Sequence, residues 1–365
     1  MLPNSIKLIV DGNCSEVERA VKHIRRIGLN KVIERVETTE DNIVYSETTH
    51  EDFANEITGR MITGVKRYGK SFFLELEGKG KLPVLHFGMT GMLQVKGEKA
   101  MYYKETPRSA PSDWPPRFMK FILHLRDRST QETAEIAFMD ARRLGRIRLR
   151  DSPATEAPIS ELGFDPILCM PSLEVFEALV KKRACPMKAL LLDQSFSAGV
   201  VIFEDEILYH ARVHPKQRCN TLTTTQIGDL HRCTKFVCET AVSVDADDTK
   251  FPEDWLFKHR WGKGKKTKAE PLKLPSGQLA TIQWVTVGGR TSAYVAELQQ
   301  LSIQAPVPLS KQRPTHSSSL DGNSESESDL PALTDSDSEI LPSLSKKRVS
   351  IIIIHSLMQS SKPIS

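Results

Sequence analysis

The spacing of apolar residues near the start of the chain is helical. Between Val17 and Ile24, apolar side chains recur at helical intervals with polar residues between them. Ser15 and Glu18 have the spacing of a capping box, and Gly28 is a residue that commonly ends a helix. The pattern predicts one amphipathic helix with Ser15 as its N-cap and Gly28 as its stop.

From Lys31 to Arg150 the pattern becomes that of short strands separated by turns. Runs rich in strand-forming residues cover 71–76, 84–87, 119–125, 134–139 and 146–150. Turn residues lie at 77–80 and 127–129, and a charged, proline-rich stretch at 97–116 predicts a surface insertion. Many short strands with turns between them predict a β-sandwich.

The second half of the chain has helical spacing and ends in a predicted hairpin. After a proline-containing connector at 151–158, helix signals cover 173–182, 187–193, 205–212 and 226–244. Ser172 is the expected N-cap of the first of these helices, and Phe236 is expected on the apolar side of the last. Two strand-like runs, Leu279–Val287 and Thr291–Leu298, flank the pair Gly288–Gly289, which suits a tight hairpin tip. Arg290 lies beside this tip, where it can bind a phosphate; an arginine that is only solvated is the alternative.

Together these patterns predict an α+β protein in five parts. The parts are an N-terminal β-sandwich with a leading helix (1–150), a linker (151–170), a helical domain (171–260), a basic segment with a β-hairpin (261–302) and a tail (303–365). We expect a disordered tail, because its serine, proline and acidic residues cannot bury enough apolar area to offset the loss of chain entropy.

Composition narrows the class of protein. A chain of 365 residues with a net charge of +4 is long enough for two folded domains and is mildly basic, which permits nucleic-acid binding without requiring it. No apolar run reaches the roughly 20 residues of a membrane helix, and no signal peptide is recognised, so we expect an intracellular protein outside membranes. The six cysteines are dispersed without a CxxC pair, so we expect no disulfide and no zinc ribbon, and no cofactor is implied. Lys346–Arg348 is a weak nuclear-import signal.

Two motifs suggest the chemistry of the site. The first, His86–Met92, contains Met89; the second, Met139–Gly145, contains Arg142 and Arg143. Both motifs lie at the ends of predicted strands. A flexible thioether can fill the space that a displaced base leaves in a duplex, while arginine engages the partner base or a phosphate. The motifs therefore indicate a protein that handles damaged bases; a core methionine and solvated arginines are the alternative.

Taken in order, these segments resemble the formamidopyrimidine-DNA glycosylase family, and most closely its fungal and plant branch without a zinc finger. The resemblance extends from about Glu16 to Leu301. Its motifs are Glu16–Glu18, Gly69–Lys70, His86–Met92, Asp140–Gly145, Leu162–Pro166, Leu190–Gln194, Asp205–Pro215, Phe251–Pro252 and Val287–Val295. The resemblance implies a β-sandwich with a leading helix, a helix-two-turns-helix domain and a zincless β-hairpin finger, which agrees with the architecture predicted from the patterns.

The resemblance implies that three side chains fill the space left when an oxidised purine is flipped out of the duplex. These are Met89, Arg142 and Leu144, with Arg142 facing the opposite cytosine. Leu144 stands where the family commonly has an aromatic residue, so we expect less stacking and softer discrimination of the opposite base.

Further polar residues receive roles from the same resemblance. Lys70 and Arg290 match phosphate-binding residues on either side of the flipped nucleotide. Lys188 and Glu206 match polar residues of the helical domain that border the lesion, and Glu16 matches a carboxylate on the first helix.

The chain departs from the family at its amino terminus. Family enzymes attack the sugar with the secondary amine of an N-terminal proline, and an adjacent glutamate transfers protons. Counting back from Glu16, the corresponding positions hold Gly12 and Asn13, and neither can perform these roles. The nitrogen of Pro3 is an amide, and Lys7 would need a lowered pKa before it could form a Schiff base. We therefore expect no intact catalytic pair.

A second departure lies in the predicted helix-two-turns-helix motif. Residues 197–204 are one residue shorter than the family pattern and lack its asparagine. The β-branched residues found there disfavour positive φ and offer no donor, so we expect weaker phosphate binding. Both departures are abrupt and bounded by intact motifs, which favours mis-joined exons in the coding sequence over gradual decay.

The sequence thus predicts a bifunctional DNA glycosylase and AP lyase, impaired in the chain as written. The expected substrates are oxidised purines such as formamidopyrimidine and 8-oxoguanine in double-stranded DNA, bound by a monomer. The reaction would be hydrolysis of the N-glycosidic bond through an imine, followed by β,δ-elimination. A non-catalytic binder of lesions or abasic sites is the first alternative, and an RNA-binding module is the second.

Overall fold

The computed structural model describes residues 14–98, 114–261 and 270–302. Gly12 and Asn13, most of the predicted surface insertion and basic segment, and the tail with Lys346–Arg348 lie outside the described residues. The helices are α1 (Cys14–Gly28), α2 (His50–Ile57), α3 (Leu173–Lys181), α4 (Met187–Leu192), α5 (Glu204–His210) and α6 (Thr224–Ser243). The strands are β1 (Lys31–Thr38), β2 (Ile62–Tyr68), β3 (Ser71–Leu76), β4 (Leu82–His86), β5 (Met92–Val95), β6 (Met119–Asp127), β7 (Thr133–Met139), β8 (Arg146–Arg150), β9 (Ile282–Val287) and β10 (Arg290–Val295). Among these described elements, no helix combines the length and apolar character needed to cross a membrane.

The N-terminal half is a β-sandwich, as predicted. One antiparallel sheet has the strand order β1-β6-β7-β5 and the other has the order β2-β3-β4-β8. Aromatic rings fill the space between the sheets: Phe87 and Phe121 each stack on Phe138, with ring centroids 5.6 and 5.4 Å away. Burial of these large rings contributes much of the core stabilisation. The five predicted strands are all present, with their ends shifted by no more than two residues.

Four elements of this half were not predicted individually, and α2 shows why. The region was expected to contain strands alone, yet the Thr49 hydroxyl accepts a hydrogen bond from the Asp52 amide (3.0 Å) and caps a helix. Phe53 and Ile57 are buried four residues apart on that helix, a spacing that was readable from the sequence. The other three are β1, β2 and β5, and β1 has a register shift after Ile33 that disrupts its alternation.

The leading helix is present, but its predicted cap is wrong. Ser15 lies inside α1, since the described helix already includes Cys14, whose amide donates to the Gly199 carbonyl (3.3 Å). The Glu18 carboxylate was expected to complete a capping box. It instead accepts a hydrogen bond from Arg67 Nε on β2 (2.8 Å). The start of the helix is packed against the second half of the chain, which the local pattern could not show.

The second half is a helical domain followed by a two-stranded hairpin. The four predicted helices are found as α3 to α6, and Ser172 caps α3 as expected, accepting from the Val175 amide. Phe236 was expected on the buried side of α6 but is 47% exposed. Cys233 and Cys238 are buried on α6, and all six cysteines are thiols. The α+β architecture expected from the sequence is thereby confirmed.

The two halves meet at a buried ion pair and a close backbone contact. Asp165 accepts hydrogen bonds from the Arg67 guanidinium (2.5 Å) and from the Gly69 amide (2.8 Å), and both charged side chains are buried. Gly69 has a φ of +58°, and a Cβ atom added there would lie 2.7 Å from the Cβ of Ala198. Only glycine fits this contact. The junction therefore fixes the backbone immediately before Lys70.

Candidate nucleic-acid interface

Two loops at neighbouring strand ends carry the predicted DNA-contacting residues. The Met89 loop (residues 87–91) follows β4, and the arginine loop (residues 140–145) follows β7. Their backbones touch, because a Cβ atom added at Gly88 would lie 2.4 Å from the carbonyl carbon and oxygen of Leu144. Gly88 also has a φ of +60°, a conformation that suits glycine. The structure thus brings Met89, Arg142 and Leu144 together as expected.

The carboxylate of Asp140 connects the two loops. Its Oδ1 accepts from the Thr90 hydroxyl (2.7 Å) and from the Arg142 amide (3.1 Å), and its Oδ2 accepts from the Gly145 amide (2.6 Å). Asp140 is 1% exposed, so these hydrogen bonds form away from water. An ionised carboxylate with several donors around it makes strong hydrogen bonds in such surroundings.

The side chains on these loops are available at the surface to different extents. Met89 is half-buried, while Arg142 and Leu144 are exposed. Within the described part of the chain, the Arg142 guanidinium has no hydrogen bond or ion pair. A thioether beside an available guanidinium is an arrangement that can fill a gap in a base stack and bind the base or phosphate next to it.

Arg143 differs from Arg142, although the sequence placed them as a pair. Its guanidinium donates to Asp41 at 3.0 Å, and Lys120 Nζ binds the same carboxylate at 2.8 Å. Burial would raise the pKa of Asp41, but hydrogen bonds from Arg143 and Lys120 hold it well below its usual range. Arg143 therefore anchors the arginine loop to the sandwich, and its expected DNA contact stays a prediction.

A strip of basic side chains continues from the loops across β3, β4 and β8. His86 pairs with Ser71, next to Lys70, on one side and with Arg146 on the other. Burial, together with the smaller effect of the nearby charges of Lys70, Arg148 and Arg146, lowers the pKa of His86 to about 4. Lys70 itself is half-buried. Such a strip suits a phosphate backbone.

His86 was not assigned a role from the sequence, although it begins the first motif. Its Nδ1 accepts a hydrogen bond from the Gly88 amide (2.9 Å), so it supports the Met89 loop from β4. The sequence signal was its position near the end of the predicted strand 84–87, directly before that loop. Basic residues on adjacent strands become neighbours only once the sheet is formed.

His86 should make the protein sensitive to mild acid. Its folded pKa of about 4 lies below the ordinary 6.5, so the unfolded chain binds more protons between these values and stability falls as the pH drops through this window. We expect His86→Gln, which keeps an acceptor for Gly88, to reduce this acid-induced loss by about 1–2 kcal/mol at pH 4.5. Urea unfolding at pH 7 and pH 4.5 measures the difference; equal losses in the two proteins would contradict the prediction.

Lys188 is buried among acidic side chains in the structure, and its expected DNA contact stays a prediction. Its side chain is 0% exposed, and Nζ lies 2.6 Å from Asp205 and 3.3 Å from Glu204. Although burial opposes ionisation, Arg260 and Lys188 lower the pKa of Glu204. The structure shows a buried ionic network within the helical domain, and it offers no surface of Lys188 to DNA.

Glu206 is buried as well and has partners within the protein. Its two oxygens accept from the amides of Leu256 (3.2 Å) and Phe257 (2.7 Å), and His210 Nε2 lies 2.9 Å from Oε1. Burial raises the pKa of Glu206, although His210 and the two amides favour its charged form. These contacts hold the segment after α6 against α5. The expected position of Glu206 beside the lesion stays a prediction.

The turn between α4 and α5 is built differently from the expectation. Ile202 has a φ of +90°, so the turn keeps a left-handed residue even though β-branched residues disfavour it. Ile202 and its neighbours Val200 and Val201 are buried, and the Ile202 carbonyl accepts from the Arg260 guanidinium. Core packing and this hydrogen bond stabilise the conformation. No side chain of these three can donate to a phosphate, and weak phosphate binding here stays a prediction.

The hairpin tip is held against the helical domain. Gly288 and Gly289 have φ values of +58° and +73°, as expected for a tight turn, and a Cβ atom added at Gly288 would lie 3.5 Å from Ala189 on α4. Asp205 accepts from the Ser292 hydroxyl and from the Ala293 amide (3.1 Å). Arg290 is exposed at this tip. The hairpin therefore presents Arg290 from a fixed position.

Glu16 occupies the first turn of α1 and is half-buried. Its charge raises the pKa of Arg19, although burial of that guanidinium has the larger, opposite effect. Within the ranges that the structure covers, no three histidine, cysteine or acidic residues group as a metal site would require.

Comparison with known proteins adds independent findings. Models of the formamidopyrimidine-DNA glycosylase N-terminal domain and of its H2TH domain match residues 13–147 and 162–253. The formamidopyrimidine-DNA glycosylase of Arabidopsis thaliana is 37% identical over 300 residues, which cover 82% of this chain and 73% of that protein. The protein of that name from Paracoccus denitrificans (strain Pd 1222) is 28% identical over 68% of this chain and 86% of its own length.

A solved structure agrees with the fold. The crystal structure of the Lactococcus lactis formamidopyrimidine-DNA glycosylase, bound non-covalently to DNA with an AP site, has a TM-score of 0.60 to this chain. The match covers 79% of this chain and 100% of that one at 23% sequence identity, so it supports the architecture alone.

Proposed function

Because the chain belongs to the formamidopyrimidine-DNA glycosylase family, we propose that it binds damaged double-stranded DNA and acts in base-excision repair. The observation that carries this proposal is the contact between the Met89 loop and the arginine loop. Met89 and Leu144 offer apolar surface beside the available guanidinium of Arg142. The basic strip around Lys70 extends from the same loops and provides attraction for phosphates.

The proposed recognition uses a gap in the base stack. When a base is flipped out or missing, Met89 and Leu144 replace lost stacking contacts, and Arg142 donates to the base opposite the gap. Lys70 and Arg290 bind phosphates on either side. An intact duplex offers these side chains no space, so it is bound through its phosphates alone and more weakly.

Two activities are compatible with this mode of binding. Family chemistry excises oxidised purines and cleaves the strand through an imine, which requires an amine nucleophile. The presence of Gly12 and Asn13 at the expected catalytic positions favours a second candidate function, a binder of lesions or abasic sites without catalysis. We further propose that the chain binds DNA as a monomer and works in the nucleus.

Binding to a duplex with one abasic-site analogue tests the proposal. We expect at least about 10-fold tighter binding than to the intact duplex at moderate salt, and Arg142→Ala should remove most of this preference, since a good arginine contact contributes about 1–3 kcal/mol. Arg128→Ala is the matched control, because Arg128 is exposed at the other end of the β6–β7 hairpin and pairs only with Glu77 at 3.5 Å among the described residues. Equal affinity of the unmodified chain for both duplexes would contradict the proposed function. Tighter binding to structured RNA would support the RNA-binding alternative.

Borohydride trapping on the natural abasic site separates the two activities. Reduction of an imine leaves a covalent protein–DNA adduct, which would establish the lyase. Preferential binding without an adduct would establish the non-catalytic binder.

A further inference from the structure

We propose that Asp140 is a positioning residue that makes the Met89 loop and the arginine loop act as one unit. The inference rests on the proposed function, because it concerns how the gap-filling side chains are placed. Asp140 is 1% exposed, so its side chain is not accessible to a ligand at the surface. Its effect on DNA passes through the residues that it holds.

The contacts of Asp140 come from both loops and use both oxygens. Oδ1 binds the Thr90 hydroxyl, next to Met89, and also the amide of Arg142. Oδ2 binds the amide of Gly145, which directly follows Leu144. The Asp140 amide donates to the Phe118 carbonyl (3.1 Å), so the residue is itself fixed to the start of β6. One carboxylate therefore fixes the backbone next to all three gap-filling residues.

The arginine loop is held from its other side as well. Arg143, with a φ of +58°, directs its guanidinium to Asp41 on the sandwich. Backbone strain of this kind persists only where surrounding contacts determine the conformation. With Arg143 held by Asp41 and its neighbours held by Asp140, Arg142 is left to point outward. Among the described residues, the side-chain hydrogen bond that joins the Met89 loop to this arrangement is that of the Thr90 hydroxyl.

These contacts make two substitutions informative. Thr90→Val keeps the shape of the side chain but deletes the donor, so it disconnects the Met89 loop and leaves the arginine loop bound. Asp140→Asn replaces one acceptor by an NH2 group, and either orientation of the amide then faces a backbone N–H of Arg142 or Gly145. The second change should therefore disturb both loops.

The measurement is the ratio of affinities for a duplex with one abasic-site analogue and for the intact duplex, taken with the full chain. We expect Thr90→Val to reduce this ratio about 3-fold and Asp140→Asn to bring it close to 1, as the loss of one and of several hydrogen bonds implies. Affinity for the intact duplex should stay unchanged, since phosphate contacts dominate it. Thr90→Ser, which keeps the hydroxyl, should keep the ratio.

Asp127→Asn provides the matched control. Asp127 also accepts from backbone amides, those of Ser129 (2.8 Å) and Thr130 (3.0 Å), but at the opposite end of the β6–β7 hairpin. It should leave the ratio unchanged. If the unmodified chain prefers the abasic duplex and both Thr90→Val and Asp140→Asn keep that preference, the positioning role is wrong while the function stands. If Asp140→Asn fails to fold, Thr90→Val alone decides; if the unmodified chain has no preference, both proposals fail.

Discussion

Replacing Lys188 by methionine should lower the free energy of unfolding by about 3–5 kcal/mol, the usual cost of leaving a buried charge without its partner. Lys188 Nζ lies 2.6 Å from Asp205, and both side chains are almost completely buried. Methionine fills a similar volume but, among the described residues, leaves the charge of Asp205 opposed by the more distant Arg260, at 3.5 Å. The hairpin is affected too, because the same Asp205 holds Ser292 and Ala293. Urea unfolding followed by circular dichroism measures the loss.

Lys181→Met is the control for this experiment. Lys181 also lies in the helical domain and pairs with Glu177 four residues away, but its side chain is 49% exposed. We expect a change below about 1 kcal/mol there. A Lys188→Met protein with normal stability and weakened DNA binding would show instead that Lys188 contacts DNA directly, and would overturn the structural role.

Replacing Asp165 by asparagine should weaken the packing between the two halves of the protein, with a loss of about 3–5 kcal/mol in the free energy of unfolding. Asp165 is fully buried and receives the Arg67 guanidinium and the Gly69 amide, both from the sandwich. Asparagine keeps the size but removes the charge, so Arg67 loses its main buried counter-ion. Unfolding curves and the rate of proteolysis in the connector at 151–158 report the result.

An exposed ion pair across the same junction provides the comparison. Lys22 on α1 and Asp245 after α6 are 2.7 Å apart, with side-chain exposures of 47% and 56%. Asp245→Asn removes an ion pair between the same two halves, yet solvent screening should limit its effect to about 1 kcal/mol or less. Equal effects of the two substitutions would contradict the importance assigned to burial at Asp165.

Much of the fold follows from local patterns, because the β-sandwich and the helical domain have clear periodicities. The Gly288–Gly289 tip and the Ser172 cap were also readable, since each depends on a few adjacent residues. Ser15 and Glu18 were misread for the opposite reason. Their surroundings are supplied by Gly199 and Arg67, which lie far away in the chain.

The candidate site shows the same division. The adjacency of Met89 and Arg142 could be predicted, because both follow strands that finish at the same end of the sandwich. The burial of Lys188 could not, because a lysine among apolar residues of α4 becomes acceptable only when Asp205 on another helix neutralises it. Arg142 and Arg143 are likewise equivalent in sequence and are distinguished only by the position of Asp41.

The two phosphate-binding candidates share a feature of their attachment. Lys70 follows Gly69, whose amide is bound by buried Asp165, and Arg290 is the first residue of β10, which is bound by buried Asp205. The distance between the backbone positions of these two residues is thus fixed by the protein before DNA binds. Where a DNA strand spans both cations, the nucleic acid must adapt to that distance, and a helix weakened at one nucleotide adapts at lower energetic cost. The protein would then distinguish duplexes first by how easily they deform, and only afterwards by which base is present.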